Sequence, residues 1–168
     1  MESKPKWLDY AGQSTSELID LAGEYRIDSI VCAFEQAIGQ KEDSSTQSEI
    51  SSEERTVLAI EALEREVNNG GYDQFFRNLS REYVPVIVRE LQRIGCTEAA
   101  ALTQRAIDIL AIQGGLTHGA IAAAMAEEDD SRAEKLGECD DAYYSSIGDL
   151  AGPLFEFIKT NRTRIVIG

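Results

Sequence analysis

Glu66-Val67-Asn68-Asn69-Gly70-Gly71-Tyr72-Asp73-Gln74-Phe75-Phe76-Arg77-Asn78 is the run on which the fold turns. Upstream of it, Ser51 followed by Glu54 has the spacing of a capping box, and Val57, Ile60, Leu63 and Val67 recur every three or four residues. That side therefore reads as a helix with one buried stripe. The helix is expected to end at Asn68-Asn69-Gly70-Gly71, because Asn and Gly accept the left-handed backbone that closes helices. The rest of the run reads as a turn. Tyr72, Phe75 and Phe76 plug the core, while Asn68, Asn69, Gln74 and Asn78 bond exposed backbone groups.

The same rhythm of cap, stripe and glycine continues downstream. Pro85 opens a helix carrying Val84, Ile87, Val88, Leu91 and Ile94, which Gly95 closes. Thr97 caps the next, through Leu102, Ala106, Ile107 and Leu110 to Gly114-Gly115. Thr117 caps an alanine-rich helix from His118 to Glu127; Asp130 or Ser131 starts one with Leu136, Cys139, Tyr143 and Ile147; Asp149 caps the last, ahead of an extended Ile165-Val166-Ile167 tail. Upstream, the apolar positions from Leu18 to Ile38 have helical spacing, as one helix or as two broken near Arg26 to Asp28, with Gly39 as the stop and 40–52 as an exposed loop. No stretch alternates as a strand would. The expectation is an all-α fold, a compact multi-helix single domain of about seven or eight short helices, with residues 1–16 as an N-terminal arm and 17–168 as the domain.

With 168 residues, 43% of them hydrophobic, the chain can bury a core without disulfide or metal. Thirty Asp and Glu against 16 Lys and Arg give a formal charge of −14, which suits a basic partner and disfavours direct binding to nucleic acid or anionic lipid. The apolar runs are far shorter than the roughly 20 residues that span a bilayer, and Asp9, Glu17 and Asp20 interrupt any secretory h-region. A cytoplasmic protein is expected. Cys32, Cys96 and Cys139 fit neither a disulfide framework nor a zinc site, and His118 is the only histidine. Neither a metal nor a cofactor is expected.

Catalytic signatures are thin. There is no Gly-x-Ser-x-Gly elbow and no Walker-type loop. Glu127-Glu128-Asp129-Asp130 lacks the alternation and central glycine of a calcium loop and reads as acids between two helices. The acids are more informative as a pattern. Glu17, Asp20, Glu24 and Asp28 would share one face of a continuous helix, and from Glu127 to Asp141 eight acids, among them Glu134 and Glu138, stand against Arg132 and Lys135. Like charges at helical spacing cost a little stability, so such a row is either a solvated face kept for solubility or a surface with a use.

From Asn68 to Asn78 the chain resembles a bacterial domain family of unknown function whose hallmark is Asn-Gly-Gly-[Phe/Tyr]-x-Gln-[Phe/Tyr]-Phe-x-Asn and whose best-known member is described as a DNA mimic. The likeness covers residues 51–162 and includes Asp140-Asp141-Ala142-Tyr143-Tyr144, with Cys139 where the family usually has leucine. It implies an all-helical, cytoplasmic protein with no established enzymatic activity, and homodimerisation among its options. The hallmark is neutral and aromatic, so mimicry of DNA must rest on the acids elsewhere.

Two functions follow as expectations. The first is a non-enzymatic, acidic interaction protein. Glu17, Asp20, Glu24, Asp28, Glu127, Glu128, Asp129, Asp130, Glu134 and Glu138 would stand in for phosphates and occupy a basic DNA-binding protein, such as a helix-turn-helix transcription factor, because phosphate contacts dominate DNA affinity. The alternative is a small-molecule or peptide binding module with a cleft lined by Asn68, Asn69, Gly70, Gly71, Tyr72, Gln74, Phe75, Phe76 and Asn78. An enzyme built on Asp73 or His118 would need either residue beside a second polar group in a pocket.

Overall fold

The computed structural model describes residues 4–44 and 49–168. Residues 1–3 of the expected arm and 45–48 of the expected loop lie outside the described residues. Eight α-helices run through the described residues: α1 (Thr15–Asp20), α2 (Ile27–Asp43), α3 (Ser52–Arg77), α4 (Val84–Arg93), α5 (Thr97–Ile109), α6 (His118–Met125), α7 (Asp130–Ser146) and α8 (Ala151–Thr160). A 3-10 segment, Leu79–Tyr83, precedes α4, and the described residues contain isolated bridges but no strand. The all-α expectation holds. No helix among the described residues is long and apolar enough to cross a membrane.

The chain divides into two compact units, Met1–Glu61 with Ala151–Gly168, and Ala62–Leu150. The division falls inside α3. In the first unit, Leu18, Ile30, Phe34, Ile38, Val57, Ile60, Leu154 and Ile158 form a core in which each is fully buried or nearly so. Each such side chain contributes roughly 1.5–3 kcal/mol relative to exposure. Ser14 and Glu17 cap α1 reciprocally, with Glu17 Oε2 accepting from the Ser14 amide at 2.7 Å. The expected break near Arg26 is real, since α2 begins at Ile27. Residues 4–14 are non-helical but held: Leu8 is buried, its amide donates to Ser29 Oγ at 3.0 Å, and Arg26 lies over the Trp7 ring at 5.4 Å.

Gly39 does not stop α2, which runs on to Asp43. A mid-helix glycine costs about 1 kcal/mol relative to alanine, and the last turn is secured instead by Lys41, whose Nζ donates to both oxygens of the buried Glu54 carboxylate at 2.8 and 2.9 Å. Glu54 is also the capping-box partner of Ser51, accepting from its amide at 2.8 Å, while the Glu54 amide donates to Ser51 Oγ at 3.0 Å.

In the second unit α5 packs on both α4 and α7. Its core is Leu63, Val67, Tyr72, Phe75, Phe76, Ile87, Leu91, Ala106, Ile121, Leu136, Cys139 and Tyr143, all nearly or fully buried. Gly95, with φ +81, ends α4 where expected: the Cys96 amide reaches back to the Leu91 carbonyl at 2.9 Å and the Gly95 amide to Gln92 at 3.0 Å, which satisfies the last carbonyls. Two expectations fail locally. Thr97 is the first residue of α5 rather than its cap, and α5 ends at Ile109, five residues before Gly114, with Ala111 taking a positive φ of 51°.

Candidate functional site

The motif and the acids from Glu127 to Glu138 lie in the second unit, and Glu17, Asp20, Glu24 and Asp28 in the first. At Gly70 and Gly71 the backbone of α3 leaves helical geometry, with φ −153°, ψ 19° and then φ 74°, ψ −174°, and helix resumes through Arg77. The first helical stretch of α3 therefore ends at the Asn-Asn-Gly-Gly run as expected, but a second short helical stretch through Arg77 follows it where a turn was expected. Gly71 sits there because a side chain has no room: a Cβ would stand 2.2 Å from Asp140 Oδ2. Asp140, on α7, holds the kink by accepting from the Tyr72 amide at 2.8 Å.

The amide side chains of the motif do not cap exposed backbone. Two of them, Gln74 and Asn78, meet at Glu66, one turn before the kink, while Asn68 bonds Glu64. Gln74 Nε2 donates to Glu66 Oε2 at 2.6 Å, Asn78 Nδ2 to the same oxygen at 2.8 Å, and Ser80 Oγ to Oε1 at 2.8 Å. Asn69 Nδ2 donates to Gln74 Oε1 at 3.2 Å. A buried carboxylate with no donors would be costly, and three neutral donors from beyond the kink tie the two halves of α3 together through it. Burial works to raise the Glu66 pKa, but Gln74, Ser80 and Asn78 together hold it below the ordinary glutamate value.

Tyr72, Phe75 and Phe76 have no exposed surface, so within the motif only Asn68, Asn69, Gly70 and Asn78 are exposed. The Tyr72 ring meets Tyr143 edge-on at 6.0 Å and its hydroxyl pairs with Thr103 Oγ1 at 2.9 Å. Tyr143 in turn donates to Glu64. Burial raises the pKa of Glu64, against the opposing pull of the Tyr143 bond, and burial likewise raises Asp140. Asp73 is ion-paired with Arg77 at 2.8 Å, and exposed His118 accepts from Arg81 Nε at 3.0 Å. Each candidate acid or base is thus engaged by an arginine.

The acidic surface is distributed differently from the expectation. Glu17, Asp20, Glu24 and Asp28 do not share a helix, because α1 stops at Asp20 and α2 starts at Ile27. Three of the four are also committed locally: Glu17 caps Ser14, Glu24 faces Lys6 at 3.5 Å and Asp28 faces Arg26. On α7 the geometry is favourable. Asp129 caps the helix, accepting from the Arg132 amide at 2.9 Å, and Leu136, Cys139 and Tyr143 turn inward. Asp130, Glu134, Glu138 and Asp141 are all exposed. At 100° per residue they fall within about 80° of arc, one outward face. Glu138 pairs with Arg105 at 2.9 Å, and Glu128, just before the helix, faces Arg77 at 3.5 Å. Among the described residues no ion pair involves Asp130, Glu134 or Asp141. Asp141 was not among the expected phosphate-mimicking residues. Its signal was the helical spacing from Glu134 and Glu138. Glu66, Glu64 and Asp140 were missed as partners of the motif.

A family described as DMP19-like protein matches residues 48–161, a span that contains the kink, the Glu66 network and α7. No curated protein and no solved structure matches the chain.

Proposed function

This chain belongs to the DMP19-like protein family, and we propose that it is a non-enzymatic interaction protein whose α7 face occupies the DNA-contacting surface of a basic DNA-binding protein, such as a helix-turn-helix regulator. The observation that carries the reading is the row Asp130, Glu134, Glu138 and Asp141 on one exposed helix face. The eleven steps from Asp130 to Asp141 rise about 16 Å, so the four carboxylates, of which Glu138 is paired with Arg105, follow one another at roughly 5 Å along the axis. A single DNA strand carries one charge per about 3.4 Å of axis. The row is sparser than DNA but of the same order, and Glu127 and Glu128 extend it at its start. The family's DNA-mimic character supports the same reading. The motif from Asn68 to Asn78 then has a supporting task, since Asp140 ties the kink of α3 to the helix that displays the acids.

The test is affinity capture from native lysate with the full chain, at low and high salt and with duplex DNA as competitor. A basic DNA-binding protein should be retained at low salt, released by salt and by DNA, and lost with the D130N/E134Q/D141N variant. Capture that neither DNA nor the triple variant disturbs would remove α7 from the account. The variant keeps every buried contact of α7, so its stability should stay within about 0.5 kcal/mol of the parent.

A further inference from the structure

Of the stretch Asp140-Asp141-Ala142-Tyr143-Tyr144, Asp140 holds the kink of α3 and Tyr143 fills the core, while Tyr144 leaves the same helix with 53% of its surface exposed. It is nevertheless fixed. Its hydroxyl donates to the Val67 carbonyl at 2.5 Å, and its ring stands edge-on to Tyr143 with the centroids 6.2 Å apart. Val67 lies four residues before Gly71, where α3 leaves helical geometry, so the hydroxyl caps a carbonyl at the end of a helical stretch. Water satisfies such a carbonyl as well. The bond therefore accounts for the position of the hydroxyl but not for an aromatic ring held open to solvent.

The surroundings of that ring are negative. Asp141 stands three residues earlier on the same side of α7, a spacing that sets Cβ atoms about 5–6 Å apart. Burial, then Asp140 and Asp141, push the Tyr144 hydroxyl up, so both carboxylates are within electrostatic reach of it. Asp140 is engaged by the Tyr72 amide. Among the described residues no ion pair involves Asp141, and no cation lies over the Tyr144 ring as Arg26 lies over Trp7 and Lys159 over Phe155. An open aromatic face beside an unpaired carboxylate suits one planar cation: a guanidinium can pair with the carboxylate while its own face lies within ~6 Å of the ring centroid. The ammonium of lysine, a compact point charge, gains the attraction but not the stacking.

We propose that Asp141 and Tyr144 are the arginine seat of the α7 face, taking one guanidinium of a basic partner protein between carboxylate and ring. The seat rests on the reading of α7 as the partner-binding face and adds to it a contact that separates one cation from another. Exposed carboxylates attract lysine and arginine alike, and the ring supplies the preference for arginine. Because Val67 and Tyr143 already fix Tyr144, little side-chain freedom is lost on contact. Tyr and Arg are also among the residues that dominate interface energies.

The test uses the full chain and two fluorescein-labelled probes, oligoarginine and oligolysine peptides of equal length, followed by fluorescence polarisation at low salt. The parent should bind oligoarginine more tightly. Y144L should weaken oligoarginine by about two- to fivefold and oligolysine by less, and Y144F, which keeps the ring, should retain the preference. Equal affinity for the two peptides, or a preference that Y144L leaves unchanged, overturns the seat while the α7 face stands. A preference lost in Y144L, with affinity indifferent to D130N/E134Q, keeps the seat and removes the rest of the row. Failure of both peptides to bind overturns both. If Y144L loses its helical circular dichroism, nuclear magnetic resonance on the parent decides. The Tyr144 ring protons, assigned by comparison with Y144F, should shift more on adding oligoarginine than oligolysine, and D141N should remove the difference. Ring protons that do not move overturn the seat.

Discussion

Gly71→Ala asks one methyl group to meet two incompatible demands. The backbone there has φ 74° and ψ −174°, a region almost restricted to glycine, and forcing another residue into it costs about 1–3 kcal/mol. The new Cβ would also lie 2.2 Å from Asp140 Oδ2 and 2.6 Å from its Cγ. A free carboxylate could swing away cheaply, but this one accepts the Tyr72 amide at 2.8 Å. Moving it leaves that amide without its charged acceptor, a further loss of about 1.5–3 kcal/mol. Together the two effects come to about 2.5–6 kcal/mol, a large share of the roughly 5–15 kcal/mol that holds a domain folded. Urea unfolding followed by far-ultraviolet circular dichroism measures it, and D140A provides the control. With Asp140 already truncated, the clash and the hydrogen bond are both absent, so alanine at position 71 should cost only the backbone share of about 1–3 kcal/mol. A loss below about 1 kcal/mol in the parent background, or equal losses in the two backgrounds, would show that Asp140 does not hold the kink.

E66A leaves Gln74, Asn78 and Ser80 without their common acceptor and should cost about 3 kcal/mol, with E66Q recovering part of it in thermal denaturation. Because the folded-state pKa of Glu66 is lowered, its contribution is present above the unfolded value near ~4.3 and disappears as pH falls through the folded one. Acid midpoints should therefore flatten in E66Q. Glu64 has the opposite sign: its folded pKa is raised by burial, so stability should decline as pH climbs from about 4.3 through the folded value and then level off, and urea midpoints from pH 4 to 8 should lose that slope in E64Q. Burial and Glu61, which accepts from Cys32 Sγ at 3.4 Å, push the Cys32 thiol up to about 12. At pH 8 the thiolate is then about a thousandfold rarer than for a free cysteine, so Cys32 should alkylate slowly, and E61Q should accelerate it. Equal rates in the two chains would show that Glu61 does not control the thiol.

Much of the local architecture was legible because it is encoded within a turn or two of chain. Ser51 and Glu54 sit three apart and do cap α3, Gly95 does close α4, and the Asn-Asn-Gly-Gly run does break the helix that precedes it. What lay outside such spacing was misjudged. Gln74 and Asn78 bond a glutamate rather than backbone, and the acceptor of the Tyr72 amide is 68 residues away on α7. The acidic row from Glu17 to Asp28 failed for a related reason: its periodicity was sound, but the chain between Leu21 and Arg26 is not helical, and charges at helical spacing mean nothing without the helix. Gly39 marks the converse, a local stop signal overridden by Lys41 reaching Glu54.

Glu54 also has a bearing on the order in which the chain acquires structure. Its carboxylate gathers Lys41, the Ser51 amide and the Val166 amide, the last more than a hundred residues of synthesis after the other two. The segment 62–150 emerges as one uninterrupted stretch. The first unit, by contrast, joins residues before Ala62 to residues after Leu150, so on a growing chain the Glu54 carboxylate waits without its Val166 partner while the whole second unit is made. A ribosome-bound chain arrested once residue 150 has cleared the exit tunnel, by means of an unstructured linker after residue 150, should therefore protect the amides of α5 and α7 from hydrogen exchange while those of α2 remain open.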